Sequence, residues 1–203
     1  DTTSITLAYA LHSLAQHPGA EARAAAEARA TLGEGAVDVE RLQYCRAVLQ
    51  EALRLYPAAP LTVRNLERPI ELGGHALPTG TTVYIPIWWV HRDERNFPRP
   101  LEFEPERWVE AGKGGAWVAR ESDASDASGA RIAAGNMDAF VAFSGGARNC
   151  VGQRFAMLEA VTLLAALLSK FKFDSVPGYV LEPVNTGVVQ KPKHGMPMRI
   201  SLR

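Results

Sequence analysis

Thiols are scarce: Cys45 and Cys150 are the two cysteines in 203 residues. Two are too few for a disulfide framework, and no Cys-x-x-Cys or Cys/His cluster marks a zinc site, so a reducing compartment is expected. Net charge is lacking as well. Lys+Arg and Asp+Glu both number 22, so no overall basic field draws in nucleic acid or anionic lipid, and a nucleic-acid binder is not expected. Long apolar runs are missing too: stretches such as Ala160 to Leu168 fall short of the roughly 20 residues that span a bilayer. No signal segment is evident, and the opening at Asp1 without a Met reads as a cut in a longer chain. What is present, 47% hydrophobic and 22% charged residues, is the composition of an ordinary globular protein of one or two domains. It excludes disorder, collagen and a coiled coil.

Helical spacing of Ile5, Leu7, Ala8, Leu11, Leu14 and Ala15 predicts a buried helix over 3–16, ended by Pro18-Gly19. The Ala/Glu/Arg stretch from Ala20 to Leu32 has high helix propensity and little apolar bulk, and reads as a solvated helix. Asp38 is a candidate cap for a third helix, with Leu42, Cys45, Leu49, Ala52 and Leu55 on one stripe before Pro57. Between Leu61 and Val90 short β-rich pieces (61–64, 69–72, 81–87), punctuated by Gly73-Gly74 and Pro78-Thr79-Gly80, suggest a small antiparallel sheet. Prolines 98, 100 and 105 impose irregular backbone. The segment 111–139, rich in Ala, Gly and Ser, reads as a surface loop or insertion. A last helix is expected over about 151–170, burying Phe155, Leu158, Val161, Thr162, Ala165 and Leu168, with short strands near 171–173, 187–190 and 198–202 to follow. The expected class is therefore mainly α with small antiparallel β-sheets, α+β.

The strongest motif is Phe143-Ser-Gly-Gly146-Ala-Arg148-Asn-Cys150-Val-Gly152. It resembles the haem-ligand signature of the cytochrome P450 family, Phe-x-x-Gly-x-Arg-x-Cys-x-Gly. The resemblance implies that Cys150 is the axial thiolate of haem b, a soft donor that pushes electron density toward bound dioxygen. A cysteine just ahead of a helix suits that role, because the helix N-terminus favours a thiolate. Gly146 and Gly152 permit close backbone approach, Phe143 belongs to the same signature, and Arg148 is expected to pair with a haem propionate. Cys45, in an apolar stripe, is expected to be structural.

Glu51-Ala-Leu-Arg54 places an acid and a base on one helix face. In the resembled family such a pair is joined by an Arg from a downstream Pro-Glu-Arg-aromatic segment, here Pro105-Glu106-Arg107-Trp108. Glu51, Arg54 and Arg107 are thus expected to form a buried architectural triad. The opening Asp1-Thr2-Thr3-Ser4 reads as a helix N-cap cluster on its own. Within the resemblance, Asp1 and Thr2 match the acid and alcohol of a proton-delivery pair on the oxygen-binding helix. By position in the same resemblance, Arg64 is a second propionate candidate, and Ala59, Leu61, Thr62 and Val188 are candidates to line the substrate cavity. His91-Arg92-Asp93 resembles a structural segment of the family, and His12, His17, His75 and His194 show no ligand spacing.

The resemblance covers essentially the whole chain and implies a partial P450 domain over 1–203, corresponding to the C-terminal half of the fold, with a loop insertion over 111–139. The implied activity is monooxygenation of a small apolar organic substrate with dioxygen. Electrons would come from an NADPH-dependent flavoprotein reductase or a ferredoxin. The Arg-Asn-Cys-Val-Gly-Gln-Arg-Phe-Ala-Met-Leu-Glu and Val-His-Arg-Asp segments are similar to eukaryotic-style fatty-acid and related hydroxylases. That similarity implies the cytosolic face of the endoplasmic reticulum, with membrane contact only through parts outside this chain. A haem-thiolate isomerase or lyase needing no reductase, and a non-catalytic fragment, are the alternatives.

Overall fold

Four helices carry the hydrophobic interior. In the computed structural model, which describes residues 1–33, 38–112, 117–119 and 137–203, α1 (Thr2–Gln16) and α2 (Pro18–Leu32) are separated by His17 alone. Pro18 both stops α1 and occupies the first turn of α2, where its missing N–H and fixed φ cost nothing. α2 is not the solvated helix its composition suggested. Ala20, Ala24, Ala25 and Ala28 are buried against α5 (Gln153–Lys170), since small side chains let two helix backbones approach closely.

α3 (Gln43–Leu55) buries the stripe expected of it. Asp38, however, caps a separate 3₁₀ turn, Val39–Arg41, accepting from the Glu40 amide at 3.1 Å. The amides at the start of α3 are instead met from α2, where the Glu27 carboxylate accepts from Tyr44 N at 2.7 Å and Cys45 N at 2.8 Å. Burial raises the Glu27 carboxyl above its ordinary range.

The strands form separate two-stranded antiparallel ladders. β1 (Thr62–Asn65) pairs with β4 (Thr82–Ile85), enclosing the hairpin of β2 (Ile70–Leu72) and β3 (His75–Leu77). The run expected to extend to residue 87 turns at Pro86 into the single turn α4 (Ile87–Val90). β5 (Val109–Ala111) pairs with β6 (Trp117–Ala119), so the expected loop 111–139 begins with a hairpin; the greater part of that segment lies outside the described residues. After α5 come β7 (Phe171–Ser175), β8 (Pro183–Thr186), β9 (Val189–Pro192) and β10 (Met198–Leu202), paired β7–β10 and β8–β9. Arg203 closes the end of α5, its Nε donating to the carbonyls of Leu168 and Phe171 while it pairs with Glu21 of α2.

On α5, Val161, Ala165 and Leu168 are buried as expected, with Ala160 and Leu164. Phe155 and Leu158 are not: they are 71% and 50% exposed. The N-terminal third of α5 lies at the edge of the helical core: Phe155 lines a cavity and Leu158 is exposed outside it, while Met157 still packs against the core.

Candidate active site

The cavity has a volume of about 460 Å³ and lies between the start of α1, the end of α3, the segment 58–62, Ile87, the cysteine loop and the first turns of α5. Its size falls in the roughly 300–1,000 Å³ range of small-molecule and cofactor sites. Leu53, Ala58, Ala59, Leu61, Ile87 and Ala142 make much of the wall apolar, and α1 supplies the hydroxyls of Thr2, Thr3 and Thr6.

The loop carrying Cys150 is shaped by its backbone. Ser144 N donates to Val141 O (2.8 Å), Asn149 N to Gly146 O (3.1 Å) and Cys150 N to Phe143 O (2.9 Å). Folding back this tightly requires left-handed residues: Gly146 at φ 69°, which glycine adopts freely, and Ser144 at φ 62°, which costs a side-chain-bearing residue about 1–2 kcal/mol. Arg64 offsets that strain by donating from Nη2 to Ser144 Oγ at 2.7 Å, and its other partners are the neutral oxygens of Thr62 Oγ1 and Val63 O. Cys150 is exposed and lines the cavity two residues before Gly152, the N-cap of α5. A Cβ at Gly152 would lie 4.0 Å from the Cys150 sulfur, an ordinary contact, so that glycine is not forced by space on this side.

The cavity wall therefore brings together Thr2, Ala59, Leu61, Thr62, Phe143, Arg148, Cys150 and Gly152 of the expected set. Arg64 lies outside it and donates to the wall residues Thr62 and Ser144, and Gly146 lies outside it in the turn of the cysteine loop. Two residues of the expected set lie off the wall. Asp1 occupies the N-cap of α1 with no side-chain cap bond, its carbonyl accepting from Ser4 Oγ and Ile5 N, and is not part of the wall. Val188 lies in the β8–β9 turn, 79% exposed and away from the wall, because left-handed Gly187 turns the chain outward there; the hairpin approaches the cavity through Gln190 N, which donates to Ala58 O at 2.8 Å. Thr3, Thr6 and Ile87 were not legible as wall residues, since a hydroxyl or apolar side chain at helical spacing carries no cavity signal.

Behind the cavity, Glu51, Arg54 and Arg107 are buried together. Arg54 grips the carboxylate bidentately (Nε to Oε2 2.9 Å, Nη2 to Oε1 2.8 Å) and donates to the carbonyls of His91 (2.9 Å), Pro100 (2.6 Å) and Glu102 (2.9 Å). Glu51 also accepts from Glu104 N (3.0 Å), Arg107 Nε (3.2 Å) and the Trp108 indole (2.9 Å). Arg107 bonds Arg99 O and the Glu104 carboxylate besides. Trp108, Glu104 and the three carbonyls were not read from the sequence; the indole next to Arg107 is the one that could have been. Cys45 is buried with Sγ 3.6 Å from Ala24 O, and burial together with Glu27 pushes its thiol up.

The family model for cytochrome P450 matches residues 1–198. The chain belongs to the cytochrome P450 family. Among curated P450 proteins it is 34% identical over 200 residues to probable cytochrome P450 4s3 of Drosophila melanogaster, a match covering 98% of this chain and 36% of that protein. It is 36% identical over 186 residues to cyclooctatin synthase of Streptomyces melanosporofaciens (90% and 36%) and 31% identical over 205 residues to taurochenodeoxycholic 6 alpha-hydroxylase of Sus scrofa (98% and 36%). The chain thus spans a little over a third of the length of these P450 relatives. Among its described residues no helix is long and apolar enough to cross a membrane.

Proposed function

We propose that the chain is the haem-thiolate portion of a monooxygenase that inserts one atom of dioxygen into a small apolar organic substrate, with Cys150 as the residue whose thiolate would hold the iron of haem b. The observation that carries this reading is an exposed thiol in the wall of a largely apolar cavity whose border also includes the hydroxyl-bearing turn of α1. The donor set suits the group: among the described residues Cys150 is the one thiol in the wall, two residues ahead of the N-cap of α5. When bound, haem supplies the one-electron and dioxygen chemistry. The protein's part is ligation, orientation and proton handling. The bond from Cys150 N to Phe143 O fixes the backbone from which Sγ projects. Arg64, whose partners among the described residues are neutral oxygens, and Arg148 on the exposed loop supply guanidiniums suited to propionates. Thr2 holds a hydroxyl proton in the wall, with Asp1 one residue away as the acid of the pair. Ala59, Leu61 and Thr62 bound the space for substrate, and Glu51, Arg54 and Arg107 keep the loop's supports in register.

Oxygen insertion is supported by a relative named as a hydroxylase. Electrons come, in this reading, from an NADPH-dependent flavoprotein reductase or a ferredoxin. The site of action is the cytosolic face of the endoplasmic reticulum, reached through parts of the protein outside this chain. The test is the reduced carbonyl complex of the complete haem-loaded protein: it should show the strongly red-shifted Soret band of thiolate ligation, and Cys150→Ser should abolish it. A band that survives the substitution overturns the assignment.

A further inference from the structure

His91, immediately after α4, has none of its surface exposed, and both ring nitrogens are engaged. Nδ1 lies 3.2 Å from the carbonyl oxygen of Arg54, and Nε2 lies 2.9 Å from the amide nitrogen of Val141. A carbonyl oxygen can only accept and an amide N–H can only donate. The two partners therefore define one state of the ring: neutral, with its proton on Nδ1 and a lone pair on Nε2. Phe140 stacks on the imidazole at 5.3 Å and Phe97 meets it edge-on at 6.1 Å, so its plane is held as well. The backbone reinforces the link, because Arg54 Nη1 donates to the His91 carbonyl.

On the far side, the carbonyl of Val141 accepts from Ser144 N, and Phe143 O accepts from Cys150 N. Val141 is where the chain enters the cysteine loop. A single imidazole thus joins the carboxylate–guanidinium cluster of α3 to the backbone that presents Cys150. We propose that His91 is a positioning residue whose neutral, Nδ1-protonated ring sets the placement of the cysteine loop by accepting the Val141 amide. The link itself is independent of haem; its consequence for the metal rests on the reading of Cys150 as ligand.

A second proton would convert Nε2 into a donor facing another donor. Burial pushes the imidazole down to about 4, and the guanidiniums of Arg54 on α3 and Arg92 beside it oppose the added charge. The Glu51 carboxylate is taken up by Arg54, and Asp138 on the incoming segment is exposed. Because the folded value lies below the ordinary 6.5, the link is complete above pH 6.5 and is lost as pH falls toward 4.

The test is hydrogen exchange of the segment 141–149 in the complete haem-loaded protein, corrected for intrinsic rates, for wild type, His91→Gln and His91→Leu. Gln can place an acceptor near the position of Nε2 and Leu cannot. Losing one amide hydrogen bond should speed exchange of the segment by roughly tenfold in His91→Leu. His91→Gln should stay near wild type at neutral pH and lack the wild-type rise in exchange between pH 6.5 and 4. Equal exchange in all three proteins, or equal acceleration in both variants, overturns the proposal. Should His91→Leu not fold, the pH series of wild type against His91→Gln decides alone, and a shared pH response refutes the link. A thiolate carbonyl band missing from wild type would sink the ligand reading while leaving the exchange result to judge His91.

Discussion

Replacing Glu51 by Ala removes a carboxylate that accepts from two guanidiniums, one indole and one backbone amide, all inside the protein. Arg54 is then left as a buried cation whose bidentate carboxylate is gone, while Arg107 keeps only its pairing with Glu104 out of the two carboxylates described for it. Breaking a buried pair in this way costs about 3–5 kcal/mol, a large share of the roughly 5–15 kcal/mol that keeps a domain folded. Summing the individual bonds would overshoot, because the freed donors share water and neighbours. The measurement is chemical denaturation of the complete protein, Glu51→Ala beside Asp93→Asn. Asp93 is paired with Arg95 at the surface and is held down to about 2 by that partner, but solvent screens the pair, so little change is expected there. A third protein separates charge from scaffolding. In Glu51→Leu/Arg54→Met/Arg107→Met no charge is stranded, yet the carbonyls of His91, Pro100 and Glu102 lose the guanidinium that gathers them. The triple variant should therefore remain well below wild type. If Glu51→Ala loses no more than Asp93→Asn, or if the apolar triple restores full stability, the scaffold argument fails.

Thr2→Ala should lower product formed per electron consumed and release more peroxide while leaving haem content unchanged; unaltered coupling would reduce Thr2 to a helix residue and favour an isomerase or lyase. In the haem-free protein an alkylating reagent should label exposed Cys150 rapidly and buried Cys45 only on unfolding, as peptide mass spectrometry would record. Comparable labelling of both thiols under native conditions would contradict the burial of Cys45.

The α3 stripe and the Phe143 to Gly152 motif were legible because each is a local pattern: a helical period in one case, fixed spacing around a sulfur in the other. α2 was misread for a physical reason, since alanine carries little hydrophobic signal yet suits close helix packing, and only the presence of α5 decides which it expresses. Phe155 and Leu158 went wrong in the opposite direction: their period was right, but the helix runs from a cavity edge into the core, and periodicity cannot say which turns lie where. His91 gave no spacing signal because its partners, Arg54 and Val141, stand 37 and 50 positions away. The Glu51 cluster was half legible, its charged members through motif order, its Trp108 and carbonyl members only through the folded backbone.

Glu51 meets Glu104, Arg107 and Trp108 across 53, 56 and 57 positions of chain. The entropy of closing a loop grows only with the logarithm of its length, and much of the intervening chain first folds on itself through the β2–β3 and β1–β4 pairings. Those hairpins shorten the effective loop, and although Arg54 stands three positions from Glu51 on the same helix, Arg107 and Trp108 reach the carboxylate only when that loop closes. Contacts made after the rate-limiting step leave the speed of folding almost untouched and govern the speed of opening. In kinetic terms the cluster is a latch, and its strength sets how long a folded molecule survives before it next unfolds.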